Sequence, residues 1–169
     1  MKNSPTIRLA LFQPDIPQNT AAVLRTCVCL GVGAEIIGPI GFFLDGARVR
    51  RAGMDYLQCV TPTIHEDWSA FQATNSQRRS ILLTTKAVVA YTDFEFQSGD
   101  IVLFGRESAG VPDYVHEAVG ARLLIPMSPQ ARSLNLAQST AIVLGEALRQ
   151  LDAFPKLRED KNRCKTEID

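Results

Sequence analysis

Three stretches of the chain concentrate side chains that bind and orient rather than pack. The first, FQPDIPQNT at 12–20, carries Asn19, and Arg25 follows six residues later. A carboxamide orients a hydroxyl or phosphate through a paired donor and acceptor, and a guanidinium grips an oxyanion in a planar fork. Six residues is close to two helical turns, so the spacing predicts that Asn19 and Arg25 face one way along a helix. The second stretch, LFGRESAGVP at 103–112, brackets Arg106 and Glu107 between Gly105 and Gly110. Glycines there let backbone amides approach a ligand closely. The stretch has neither the GK[ST] of a Walker loop nor a G-x-G-x-x-G dinucleotide fingerprint. The third, IPMSPQARSLNL at 125–136, sets Arg132, Ser133 and Asn135 beside two prolines. Each has a plainer reading when taken alone. Asn19 and Ser133 are natural helix N-caps, Arg25 is an ordinary surface charge, and a loop with two glycines is a turn.

What joins the three is the pattern of elements that must carry them. Apolar runs at Ile7–Phe12, Ala34–Ile37, Ser80–Thr84, Ile101–Phe104 and Arg122–Ile125 read as short buried strands. Helices are predicted over about Thr20–Leu30 with Asn19 as cap, Asp67–Ala73, Asp113–Val119 after Pro112, and Asn135–Leu151. The last has the clearest apolar face: Leu136, Ala137, Thr140, Ala141, Leu144, Ala147, Leu148 and Leu151. Segment 39–66 reads as loop-rich, and YTDFEFQSGD is too irregular to assign. Strands alternating with helices imply an α/β fold, a mostly parallel sheet with helices on both faces. Ligands of such sheets bind beyond the carboxyl ends of the strands, and all three stretches leave such ends. One polar loop is a connection; three at one end of one sheet make a site.

Composition narrows the class. With 169 residues the chain fits one domain, expected over 1–155, with a polar tail over 156–169. Eighteen Lys and Arg balance eighteen Asp and Glu, so any nucleic-acid contact must come from a local patch. The N-terminal stretch lacks the apolar core of a signal peptide, and nowhere do enough apolar residues run together to span a membrane. A cytoplasmic protein is expected. Cys27, Cys29, Cys59 and Cys164 and two distant histidines, His65 and His116, show no zinc-ligand spacing, so no metal is expected and the thiols read as free and buried.

Together the motifs resemble those of the SPOUT-class RNA ribose 2′-O-methyltransferases. The resemblance rests on Asn19-Thr20 with Arg25, then Phe104-Gly105-Arg106-Glu107-Ser108-Ala109-Gly110, then Ile125-Pro126-Met127 through Leu136. The segments RRAGMDY at 50–56 and LTTK at 83–86 are most similar to the subgroup that modifies the tRNA wobble nucleotide. The resemblance covers residues 7 to about 155. It implies a SPOUT fold with a C-terminal trefoil knot, a homodimer whose sites are completed by the partner subunit, tRNA as partner and S-adenosylmethionine as cofactor. The implied reaction is methyl transfer to the 2′-hydroxyl of a wobble cytidine or modified uridine, in leucine tRNAs.

By position, cofactor contacts would fall on Leu83, Thr84, Gly105, Glu107, Gly110, Ile125, Met127, Ser133 and Leu134. Arg25, Asn19, Glu107, Ser133 and Asn135 would be catalytic, with Glu107 holding Arg25 or its own loop. Arg48, Arg50, Arg51, Lys86 and Arg132 would meet RNA phosphates. Members of the family often carry Tyr just before the Glu of the last helix, where this chain has Gly145 before Glu146. Methylation at another tRNA position or of ribosomal RNA, a non-catalytic RNA-binding homologue, and an unrelated nucleotide-binding α/β domain are the rival readings. The missing glycine fingerprint counts against the last.

Overall fold

The computed structural model describes residues 7–42 and 61–156. Among them seven strands form one sheet: β1 (Arg8–Phe12), β2 (Gly33–Ile37), β3 (Thr63–His65), β4 (Ser80–Leu83), β5 (Val89–Ala90), β6 (Ile101–Phe104) and β7 (Ala121–Leu124). The helices are α1 (Pro17–Leu30), α2 (Trp68–Thr74), α3 (Asp113–Ala118) and α4 (Leu136–Gln150). The strand order is β3-β2-β1-β6-β4-β7-β5, and every pairing is parallel. The expected α/β architecture is therefore present.

Alternation along each strand feeds two cores. Leu9 and Leu11 of β1 face α1 and α4, packing with Val23, Leu24, Cys27, Val143, Leu144 and Leu148. Ala10 and Phe12 face the other way, onto Trp68 and Phe71 of α2 and Val115 of α3. Helices thus cover both faces, as a buried parallel sheet requires. The order places β1, β6, β4 and β7 side by side, which brings the chain leaving Phe12, Phe104, Leu83 and Leu124 to one end of the sheet.

Several local expectations are corrected. The first helix starts at Pro17, not Thr20, with Ile16 as its cap residue. Pro at a first helical position needs no partner for a missing N–H and has its φ already set, and this places Asn19 inside the first turn. Asn135, not Ser133, caps α4, its side chain accepting from the N–H groups of Ala137 and Gln138. On α4 the buried face uses Val143, while Ala141 is exposed. β3 lies in the stretch read as loop, and β5 with a 3-10 turn at Tyr91–Asp93 opens the stretch that resisted assignment. Cys27 is buried, and burial pushes its thiol up to about 12, but Cys29 is exposed rather than buried. Cys59, Cys164 and all but Lys156 of the expected tail lie outside the described residues.

One buried polar group sits inside the second core. Glu35 on β2 is 2% exposed and accepts from Arg8 Nε at 2.5 Å and Asn75 Nδ2 at 2.8 Å, with His65 Nε2 at 2.7 Å. Burial alone would raise this carboxyl; the bonds from Arg8, Asn75 and His65 outweigh it and leave the group below its ordinary range.

Candidate active site

The three motif stretches meet where the sheet's carboxyl ends converge. From β6 the chain turns through a tight loop in which Arg106 N–H donates to Gly110 O at 3.1 Å and Gly110 N–H returns to Arg106 O at 2.9 Å. Both flanking glycines are required. A Cβ on Gly105 would lie 2.5 Å from the Gly110 carbonyl carbon, and Gly110 has φ +65°, the left-handed region that side chains disfavour. Glu107 sits at the tip, half-buried.

Its carboxylate faces the first turn of α1. Asn19 Nδ2 donates to Glu107 Oε1 at 3.0 Å, and the Asp15 backbone N–H donates to Oε2 at 3.3 Å. Asn19 Oδ1 in turn accepts from Asn135 Nδ2 at 3.0 Å. Asn135 Oδ1 accepts from Ala137 N–H at 2.8 Å, so the last amide of the chain is tied to the start of α4. Each carboxamide is oriented at both ends. One unbroken series of hydrogen bonds therefore links the three stretches, which are 88 and 116 residues apart at its two side-chain contacts.

Two adjoining cavities open beside this series. The larger, about 450 Å³, is lined by Asn19, Thr84, Gly105, Arg106, Glu107, Gly110, Ser133, Leu134, Asn135 and Ser139 among others. The smaller, about 100 Å³, is lined by Leu83, Thr84, Thr85, Phe104, Ile125, Met127, Ser133, Leu134 and Ser139. Together they fall in the size range of cofactor sites. The smaller is apolar with hydroxyls at its edge, suited to a flat base bearing a ribose. The larger carries the carboxamides, a carboxylate and a guanidinium, suited to a charged and hydroxylated partner. The chemistry of these linings fits an adenosine-bearing sulfonium cofactor beside a nucleotide.

All nine positions expected to touch cofactor line one cavity or the other, and so do Asn19, Glu107, Ser133 and Asn135. Arg25 does not. It lies on the exposed surface of α1, outside both linings, and the carboxylate of Glu107 is engaged by Asn19 and the Asp15 amide. Six residues of helix is about 600°, which leaves Arg25 some 240° round from Asn19, so the two do not share a face. Lys86 and Arg132 are exposed beside the site loops, while Arg48, Arg50 and Arg51 lie outside the described residues.

Three polar lining residues had no assigned role in the sequence reading: Arg106, Thr85 and Ser139. Ser139 is four residues after Asn135, and that spacing was the signal for it. Arg122 was also passed over. Burial, then the nearby Lys86 and Arg122 cations, hold the His116 imidazole below its ordinary value, which marks a local cluster of positive charge. Among the described residues no group of His, Cys, Asp and Glu could hold a metal ion, and no helix is long and apolar enough to cross a membrane.

Comparison with known proteins places the chain in a family. A tRNA (cytidine(34)-2′-O)-methyltransferase from Beijerinckia indica subsp. indica is 54% identical over 153 residues, spanning 89% of this chain and 96% of the relative. One of the same name from Escherichia coli (strain K12) is 39% identical over 147 residues, 86% and 94% of the two chains. A solved structure described as giving insights into the 2-OH methylation of C/U34 on tRNA superposes with a TM-score of 0.81 at 37% identity, over 86% of this chain and 96% of that one. An AdoMet-bound rRNA methyltransferase from Sinorhizobium meliloti gives 0.77 at 26% identity, over 89% and 62%. The model of the SpoU rRNA Methylase family matches residues 6–145, and the chain belongs to that family.

Proposed function

We propose that this protein transfers a methyl group from S-adenosylmethionine to the ribose 2′-hydroxyl of the wobble pyrimidine of tRNA, in leucine tRNAs, in the cytoplasm. The observation that carries the reading is the series Glu107–Asn19–Asn135, which ties three separate loops around a two-part cavity. The identity of 54% to a protein named for this reaction supports the substrate.

S-adenosylmethionine, when bound, supplies an electrophilic methyl on a sulfonium. Leu83, Ile125, Met127 and Leu134 would enclose the adenosine end, with Thr84 and Ser133 near its hydroxyls. The backbone of Gly105 and Gly110 would line the cavity beside it. Asn19 and Asn135 orient the substrate ribose, and Glu107 fixes the Asn19 amide. With the cofactor bound, its methyl group would pass from sulfur to O2′, and the O2′ proton would leave to phosphate or water.

Arg25 is assigned to the adjacent phosphate and the developing alkoxide, because a guanidinium holds its proton too firmly to act as a free base. In the homodimer that the resemblance implies, one protomer's Arg25 would complete its partner's site. Replacing Arg25 with Lys is expected to lower turnover about 10²-fold, since Lys cannot reproduce bidentate contact. Turnover near wild type would refute the bidentate role.

Arg48, Arg50, Arg51, Lys86 and Arg132, joined by Arg122, follow the RNA backbone, so affinity falls steeply with salt. The chain through 103–136 is read as the trefoil knot of the resembled fold. The deciding experiment is transfer of labelled methyl to tRNA lacking this modification, followed by nucleoside mass spectrometry. A 2′-O-methylated pyrimidine at the wobble position is the expected product. Label at another nucleotide or only in ribosomal RNA overturns the substrate. No transfer to any RNA overturns the enzyme.

A further inference from the structure

Glu107 stands at the tip of a five-residue loop, and a carboxylate on such a tip is only as well placed as the tip itself. The base of that loop is rigid: Arg106 and Gly110 exchange two backbone hydrogen bonds, and Gly105 is packed against Gly110. Above the base, the side chains of Glu107 and Ser108 reach across to the stretch after β1 rather than to their own loop.

Facing them is the turn after β1, and this turn is stiff. Gln13 has φ +44°, its N–H donates to Ile37 O at 2.8 Å, and its side-chain amide donates to Gly38 O at 3.2 Å. Pro14 and Pro17 limit it further. Two contacts cross from this turn to the tip. Ser108 Oγ donates to the Asp15 carboxylate, and the Asp15 N–H donates to Glu107 Oε2 at 3.3 Å. One residue, Asp15, therefore holds two consecutive residues of the tip, by its side chain and by its backbone. Both Asp15 and Ser108 are exposed, and neither lines the cavities.

We propose that Asp15 and Ser108 are a positioning pair for methyl transfer, pinning the loop tip so that Glu107 holds the Asn19 amide toward the substrate ribose. Neither touches the reacting atoms; each acts through Glu107. The Ser108 hydroxyl foremost, with a contribution from Glu107, holds the Asp15 carboxyl below its usual range, so the acceptor is ionised at neutral pH. The inference rests on the methyl-transfer reading of this cavity.

The test compares wild type, Asp15→Ala, Ser108→Ala, Ser108→Thr and the double Ala variant, as full chains, by steady-state methyl transfer to unmodified tRNA. A released tip misplaces a group near the chemistry rather than the cofactor, so kcat should fall about 10-fold in each single Ala variant. KM for S-adenosylmethionine should stay within about twofold. Ser108→Thr, which keeps the hydroxyl, should restore kcat. The double variant should be no slower than the singles, since both remove one clamp.

Wild-type kcat in both singles, losses that multiply in the double, or a Thr variant as slow as the Ala variant would each overturn the clamp. Melting temperatures run alongside separate a lost fold from a lost position. If Asp15→Ala does not fold, the Ser108 pair on the exposed tip decides alone. When wild type transfers methyl and the variants match it, only the clamp falls; when wild type transfers none, the reading beneath it falls as well.

Discussion

Two glutamates of this chain, Glu35 in the middle of β2 and Glu107 in the loop after β6, share the same chemistry, yet their surroundings differ. Glu35 is 2% exposed and meets three side chains from β1, β3 and the end of α2. Its partners fill the carboxylate and close it off from water and from any ligand. Glu107 is half-buried and meets one amide side chain and one backbone N–H, with a cavity of about 450 Å³ beside it. The first is saturated and enclosed. The second is held just firmly enough to orient Asn19 while remaining within reach of a bound molecule. Partner count and access, not residue type, separate a carboxylate enclosed within the fold from one left open beside a cavity.

The comparison breaks first at Glu35. Replacing it with Ala strands the Arg8, His65 and Asn75 side chains, and removing one member of a buried charged pair costs about 3–5 kcal/mol. Chemical denaturation should show that loss, with the cavity chemistry unchanged in whatever fraction remains folded. The pH dependence has a definite sign. The folded-state value of Glu35 lies below its ordinary 4.5, so the carboxylate contributes stability that is complete above the unfolded value and is lost as pH falls through the folded one. Wild type and Glu35→Gln should therefore converge in stability as the pH is lowered below 4.5. A gap that widens on acidification would mean that the network does not stabilise the charged form.

Glu107→Gln is the converse. It keeps the shape, removes the charge and turns an NH₂ group toward donors that need an acceptor. Turnover should fall about 10–100-fold while the melting temperature stays within a few degrees, because the site is open enough for water to satisfy the displaced groups. Thermal unfolding and kcat measured on one preparation check both halves. A variant that lost stability like Glu35→Ala but kept its turnover would reverse the assignment of the two carboxylates.

What sequence reasoning reached follows the same division. The motif loops were legible because polar side chains and glycines at strand ends are unusual, and a parallel sheet gathers those ends. Nine cofactor positions accordingly fell on the cavity walls. Asn19 was misread as a cap because cap preference considers residue type and overlooks Pro17, which was free to start the helix three residues earlier. Ser133 and Asn135 are both competent caps, and only the structure chooses between them. The Glu35 network was out of reach. Its acid was visible in an apolar strand, but its partners lie 27, 30 and 40 residues away in sequence, and no periodicity connects them. β3, with three residues, is too short for alternation to register.

The smallest expected effect probes the proposed dimer. Gly145 lies inside α4, where resembled proteins often carry Tyr, and a Cβ built there meets nothing within 4 Å. In a chain whose α4 surface faces only water at this point, Gly145→Ala should stabilise by about 0.5–1 kcal/mol, from helix propensity alone. Ala141 and Ile142, one turn earlier, are also exposed, so this stretch of α4 presents small and apolar groups outward. If a second copy packs on that surface at Gly145, an added methyl group must displace it, and the gain shrinks or changes sign in a way that depends on protein concentration. Thermal unfolding of Gly145→Ala across a hundredfold range of concentration separates the cases. A uniform gain places the partner elsewhere on the chain, whereas a loss at high concentration that fades on dilution puts Gly145 in the interface.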